Sequence, residues 1–229
     1  MHHFPNYFAK DPIVGCESVK RKLSFYLENY HKRDGCRINP LLFDSAFGTG
    51  KSMLARAFAT KIKKKFIEIN CSTIKNCAQF YEQIYLVHLA DTPASLFLDE
   101  LSELNNKVMF MFLTLLETSE SGINTTNVAG NDITFNLNIL TILGASTECQ
   151  KILPAFKSRW KTITIPRPSV KDLSEIISNR IGTISFKDDS LLRLANVSRF
   201  NPRSAILLAD DVKAFMEANK KNIFDLDDF

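Results

Sequence analysis

Near the N-terminus the apolar positions recur with a helical period. Val19, Leu23, Tyr26, Leu27 and Tyr30 share one face of a segment running from about Ser18 to Lys32, after an irregular stretch over residues 1–15. Arg33-Asp34-Gly35-Cys36 breaks that pattern. Leu41-Leu42-Phe43 is then a short apolar run ending in a glycine-rich turn, and Met53 to Lys64 reads as a helix. Phe66-Ile67-Glu68-Ile69 alternates as a strand does, Phe80 to His88 reads as a helix, and Ser95-Leu96-Phe97-Leu98-Asp99 is a buried strand. Val108 to Glu117 is helical again.

Residues 119–137 differ in texture. They are rich in Ser, Asn, Thr and Gly and close on the alternation Ile133-Thr134-Phe135-Asn136-Leu137, which predicts a hairpin-like excursion with Ile123 and Val128 near its tip. Asn138 to Ala145 and Thr162-Ile163-Thr164-Ile165 supply two more apolar strands. Beyond Pro166 and Pro168 the pattern predicts helix throughout: Val170 to Ile181, Asp189 to Val197 and Pro202 to Ala218. Short apolar strands alternating with helices imply an α/β fold, a parallel sheet covered by helices on both faces in three αβα layers. The expected division is an α/β domain over 1–166 and a small helical domain over 167–229, hinged at the prolines.

The turn after Phe43 carries chemistry. Ser45-Ala46-Phe47-Gly48-Thr49-Gly50-Lys51-Ser52 lies between a strand and a helix, where backbone N–H groups and the helix N-terminus converge on an anion. The spacing matches a phosphate-binding loop except that Ser45 stands where the first glycine is expected. Lys51 is suited to the β- and γ-phosphates of ATP and the Ser52 hydroxyl to Mg²⁺. A strand ending in Asp99-Glu100 delivers two carboxylates to the same edge of a parallel sheet: Asp99 suits the magnesium shell, and Glu100 suits polarising the attacking water. Alone, such a pair is most often an ordinary helix cap; with Lys51 at this spacing it predicts an ATPase.

With these motifs in order, the chain resembles the AAA+ ATPases, and within them the RuvB-type branch-migration motors. Asp11-Pro12-Ile13-Val14-Gly15 resembles that family's N-terminal motif, which implies Ile13 and Val14 against the adenine, with Phe47, Gly48, Thr49, Gly50, Lys51, Ser52 and Met53 completing the nucleotide contacts. Leu143-Gly144-Ala145-Ser146-Thr147 resembles the segment carrying sensor 1, here Thr147. Ala155-Phe156-Lys157-Ser158-Arg159-Trp160 resembles the segment of the arginine finger, here Arg159. Asn201-Pro202-Arg203 resembles the start of the lid helix with its sensor-2 arginine, here Arg203. The resemblance implies a P-loop AAA+ sheet followed by a helical lid, a homo-oligomeric ring (a hexamer), action on DNA in recombination, repair or replication, and partner-protein contact through the 119–137 insert. It also implies a winged-helix domain after the lid, for which this chain leaves no room, so DNA grip is expected from the central pore, from another subunit, or not at all. A clamp-loader or helicase-loader-like matchmaker, which rearranges partners without translocating, fits the same motifs. A non-hydrolysing scaffold fits poorly with intact Lys51, Asp99, Glu100 and Arg159.

Composition adds little to this picture. Of 229 residues 45% are hydrophobic and 24% charged, ordinary globular usage. No apolar run reaches the ~20 residues of a membrane span, and Met1-His2-His3-Phe4-Pro5 is not a secretory signal, so a cytoplasmic protein of a bacterium or phage is expected, with no membrane partner. Five scattered cysteines suggest reduced thiols rather than zinc or disulfides. The net charge of +4 is compatible with a nucleic-acid partner but does not require one. The run Lys61, Lys63, Lys64, Lys65 is expected to be a cationic helix C-terminus rather than a DNA contact.

Overall fold

The computed structural model describes residues 5–33, 35, 37–128 and 130–225; the Met1-His2-His3-Phe4 start, and Asp34 and Cys36 of the expected break, lie outside the described residues. The chain divides into two compact units. The first comprises residues 1–11, 18–44 and 51–164, the second residues 12–17, 45–50 and 165–229.

The first unit is built on a parallel sheet of five strands: β1 (Leu41–Asp44), β2 (Lys65–Asn70), β3 (Ala94–Asp99), β6 (Leu140–Ser146) and β7 (Lys161–Thr164), in the order β2-β3-β6-β1-β7. The registers align the strand ends: Asn70 pairs with Asp99, and Asp44 with both Ser146 and Thr164. The period-2 rule sorts the side chains between faces. Leu42, Leu96, Leu98 and Ile142 join the core under α4 (Asn106–Leu115), where Phe112 meets Phe80 edge-on at 5.1 Å. On the intervening positions Phe97 stacks on Phe66 at 5.7 Å. The helices α1 (Glu17–Lys32) and α2 (Lys51–Lys61) bury Leu23 and Leu27, and Leu54 and Phe58, respectively. In the central strand β6, Gly144 admits the Trp160 ring: a Cβ there would lie 2.9 Å from the indole.

Several expectations shift in detail. Helix α2 begins at Lys51 and ends at Lys61, because Lys63 turns the chain with φ 56°. Lys64 is thereby carried inward: its ammonium donates to Thr141 Oγ1 at 3.1 Å and sits 5.5 Å from the Tyr30 ring, so the basic run is not a uniformly solvated helix end. The segment expected as helix over 80–88 is α3 (Cys77–Phe80) continued by a π-helix, Tyr81–Leu89. The insert is a hairpin of β4 (Ile123–Val128) and β5 (Asn131–Asn136), anchored by the fully buried Ile133 and Phe135. Ile123 is not near its tip; it pairs with Asn136 at the base, while Val128 pairs with Asn131 at the turn and packs against the core.

In the second unit α6 (Val170–Ile181), α7 (Ser190–Val197) and α8 (Pro202–Asn219) enclose a separate core of Leu173, Ile177, Leu194, Ala205, Ala209 and Val212. Ser169 and Asp172 form a reciprocal capping box on α6. The all-helix expectation needs one correction. Ser185–Phe186 (β8) pairs in parallel with Ile223–Phe224 (β9), a two-residue ladder too short to leave a periodic signal.

Candidate nucleotide-binding site

The carboxyl edge of a parallel sheet gathers the polar ends of apolar strands, and this one gathers Asp44, Asn70, Asp99 and Ser146. Ser52, in the first turn of α2, lies with its hydroxyl 3.5 Å from Asp99 Oδ2. That first turn holds Lys51 and no acidic residue, so the helix dipole there favours an anion. A hydroxyl and a carboxylate oxygen at this spacing are hard donors of the kind magnesium takes, alongside phosphate and water. Among the described residues no cluster of three His, Cys, Asp or Glu side chains could hold a metal alone.

Glu100 follows Asp99 in a left-handed conformation, φ 53° and ψ 49°, that turns its exposed side chain out of the strand line. Its amide donates to Asp99 Oδ1 at 3.0 Å, and its Oε2 accepts from Asn70 Nδ2 at 3.0 Å. Asn70 was not among the expected site residues. The available signal was a lone amide closing the alternation Phe66-Ile67-Glu68-Ile69. Burial first, then the charges of Asp99 and Glu100, push the Cys71 thiol far up; burial and the hydrogen bond with Asp44 raise Cys149 to about 11. Both thiols beside the carboxylates therefore stay protonated at neutral pH, in keeping with a structural role.

At the end of β6 the buried Ser146 hydroxyl donates to Ser102 Oγ at 3.1 Å and accepts from the Glu148 amide at 3.0 Å, while Thr147 beside it is exposed. Arg159 follows α5 (Pro154–Lys157) between two anchors. Phe156 and Trp160 pack edge-to-face at 5.6 Å in the core, and the intervening guanidinium lies 3.8 Å from Glu117 Oε1.

In the second unit, the phosphate loop and the start of α8 are in contact. Asn201 caps α8 by accepting from the amides of Arg203 (2.9 Å) and Ser204 (3.4 Å), and its Nδ2 donates to the Phe47 carbonyl at 3.3 Å. The Arg203 guanidinium lies 4.4 Å from the centre of the Phe47 ring. Gly48 and Gly50 take φ of 78° and 89°, the left-handed region in which a side chain is strained. Ser45, at the position of the missing first glycine, shares a short hydrogen bond with the Thr49 hydroxyl, and Thr49 also donates to the Ala46 carbonyl at 2.9 Å. A side-chain clasp thus closes the turn at Ser45. Ile13 is buried and Val14 half-buried, whereas Phe47 and Met53 are exposed.

Residues 41–167, more than half of the chain, match the family model described as ATPase family associated with various cellular activities (AAA). The chain belongs to the AAA ATPase family. Among relatives of this AAA chain, the Holliday junction branch migration complex subunit RuvB of Thermotoga petrophila is 25% identical over 95% of the chain, and that of Mycoplasma genitalium 22% identical over 95%. Fidgetin-like protein 1 of Drosophila melanogaster is 28% identical over 82% of the chain and 38% of its own length. The chain spans 65% of the length of the Thermotoga relatives. The solved RuvB branch migration motor of Thermotoga maritima superposes with a TM-score of 0.79, at 23% identity over 98% of this chain and 70% of that one, sharing the parallel sheet with flanking helices. No helix among the described residues of this AAA protein is long and apolar enough to cross a membrane.

Proposed function

We propose that this AAA protein binds ATP with magnesium and hydrolyses it in a ring of identical subunits, and that the cycle drives work on DNA of the kind named for its RuvB relatives. The observation that carries this reading is the approach of the Ser52 hydroxyl to Asp99 with Glu100 next in the chain. Phosphate-loop helix, metal-shell carboxylate and base then share one sheet edge.

In this reading Lys51 and the loop amides of residues 47–52 hold the phosphates, and Ser52 and Asp99 hold magnesium. Bound magnesium supplies positive charge against the β- and γ-phosphates. Glu100 takes the proton of the attacking water once it leaves Asn70. Thr147 orients that water, and Arg203 reports the nucleotide state to the helical segment through its place beside Phe47. Ile13 and Val14 line the adenine. Arg159, exposed in part and only weakly paired, serves the site of a neighbouring subunit, which makes assembly a condition for turnover.

Two measurements test this reading. Glu100→Gln is expected to keep ATP binding and to lose turnover; hydrolysis at the wild-type rate would sink the assignment of the base. The wild-type ATPase rate is expected to rise with DNA, compared across single-stranded, duplex and four-way substrates. A rate indifferent to all three would favour a loader-like matchmaker that rearranges partner proteins.

A further inference from the structure

The outward face of α1 carries a pattern unrelated to the nucleotide site. While Val19, Leu23 and Leu27 are buried, Arg21, Lys22 and Phe25 are exposed at three- and four-residue spacing, with Tyr26 half-buried beside them and Arg33 exposed just past the helix end. Two adjoining hollows, of about 500 and 300 Å³, share Phe25 and Tyr26 in their walls. The larger is bordered by Lys161 at the start of the edge strand β7, and the smaller by Arg33 and Arg37. Phe25 is 44% exposed, and its ring meets Tyr26 edge-on at 5.6 Å.

The charge balance is one-sided. Among the described residues no carboxylate lines either hollow, and none of Arg21, Lys22, Arg33 or Lys161 is in an ion pair. Glu28, the acid on the neighbouring turn, is already held by Lys32 at 2.8 Å and by the Tyr7 hydroxyl at 2.7 Å. Cations gathered along one groove repel one another and complement an extended anion rather than a single ion. From Arg21 to its end at Lys32 the helix runs about 17 Å, room for several backbone phosphates. The exposed aromatic ring between the cations is what a base would stack on.

We propose that this groove holds a single strand of DNA, its phosphates against Arg21, Lys22, Arg33 and Lys161 and a base on Phe25. The proposal rests on the DNA reading above and supplies a grip on the chain's own surface. The test is fluorescence anisotropy with a labelled oligo(dT), titrated from 50 to 300 mM salt. Arg21→Ala with Lys22→Ala is expected to weaken binding at least tenfold and to make the log–log salt slope shallower by about 1.4. Phe25→Ala is expected to weaken it about tenfold with the slope unchanged. Lys22→Arg should bind as wild type does, and melting curves check that each variant is folded. If wild type binds and the alanine variants bind equally well, the groove is wrong and the DNA reading stands. If wild type binds no oligonucleotide even at 50 mM salt, both fall. If poly-glutamate of matched charge displaces the oligonucleotide as well as unlabelled oligo(dT) does, the groove takes an acidic polypeptide and the proposal is overturned.

Discussion

Asn70 Nδ2 donates to Glu100 Oε2 at 3.0 Å, so the carboxylate proposed as the base is tethered to the end of the neighbouring strand. The register sets the contact, since Asn70 and Asp99 are paired across β2 and β3 and Glu100 is the next residue. A hydrogen bond to a carboxylate is worth about 1.5–3 kcal/mol and must be given up before Glu100 turns to a water. Asn70→Ala is therefore expected to raise the basal turnover number up to about tenfold with ATP affinity unchanged. A fall in kcat would show instead that the amide positions Glu100 productively.

Gly48 and Asn201 are a second coupled pair. A Cβ at position 48 would lie 2.9 Å from the Asn201 carboxamide carbon, and the backbone there has φ 78°. Gly48→Ala therefore incurs both left-handed strain, about 1–2 kcal/mol, and a collision with the residue that caps α8. The expected result is a melting temperature lower by several degrees and ATP binding at least tenfold weaker. Asn201→Ala alone removes a cap, costing about 1 kcal/mol. In the double variant the collision is gone and only the strain and the lost cap remain, so its destabilisation should be about 1 kcal/mol less than the sum of the singles. Strict additivity would mean the two side chains do not interact.

Arg159 is held by its neighbours rather than by its partner. Phe156 and Trp160 fix the backbone on either side, while the Glu117 carboxylate at 3.8 Å is an exposed pair of little energetic weight. Glu117→Ala is thus expected to change ATPase activity less than twofold. Arg159→Ala is expected to lower kcat on the order of 10³-fold with binding retained, and Arg159→Lys should not restore it, because a planar fork is lost. Mixing Arg159→Ala with Lys51→Ala subunits should recover part of the activity. No recovery at any ratio would count against a finger acting on a neighbour.

What the sequence made legible follows from how local each cause is. The strands and the phosphate loop are written in short windows: apolar runs, two glycines, a lysine, and a strand ending in two acids. Sheet order is not, because β6 comes between β3 and β1 through packing that no window contains. Asn70 escaped for the same reason: as one amide after an alternating strand it means nothing until the register sets it beside Asp99. The π-helix at Tyr81–Leu89 and the β8–β9 pair were illegible in a different way, since an i+5 ladder leaves the apolar pattern almost unchanged and two residues are too few to show a period. Ser45 was legible only as a missing glycine; its bond to Thr49 supplies the closure that the backbone of a glycine would otherwise permit.

Lys64 offers a prediction in pH. Burial lowers its ammonium to about 8, even with Thr141 accepting its proton and Tyr30 beneath it. Between about 8 and the ordinary lysine value near 10.4, the unfolded chain binds a proton that the folded chain has released, so Lys64 makes stability rise with pH across that window. Below 8 both states are charged and the full desolvation penalty is present. Lys64→Met, which keeps the length without the charge, is expected to be more stable than wild type at pH 7 by about 1 kcal/mol, well below what the full shift implies because the half-buried ammonium is screened by solvent and the Thr141 and Tyr30 contacts are lost. That advantage should shrink as pH rises from 8 to 10, read as converging denaturant midpoints. A difference that stays constant, or widens toward pH 10, would show that the ammonium is solvated and that the fold carries no buried charge at this position.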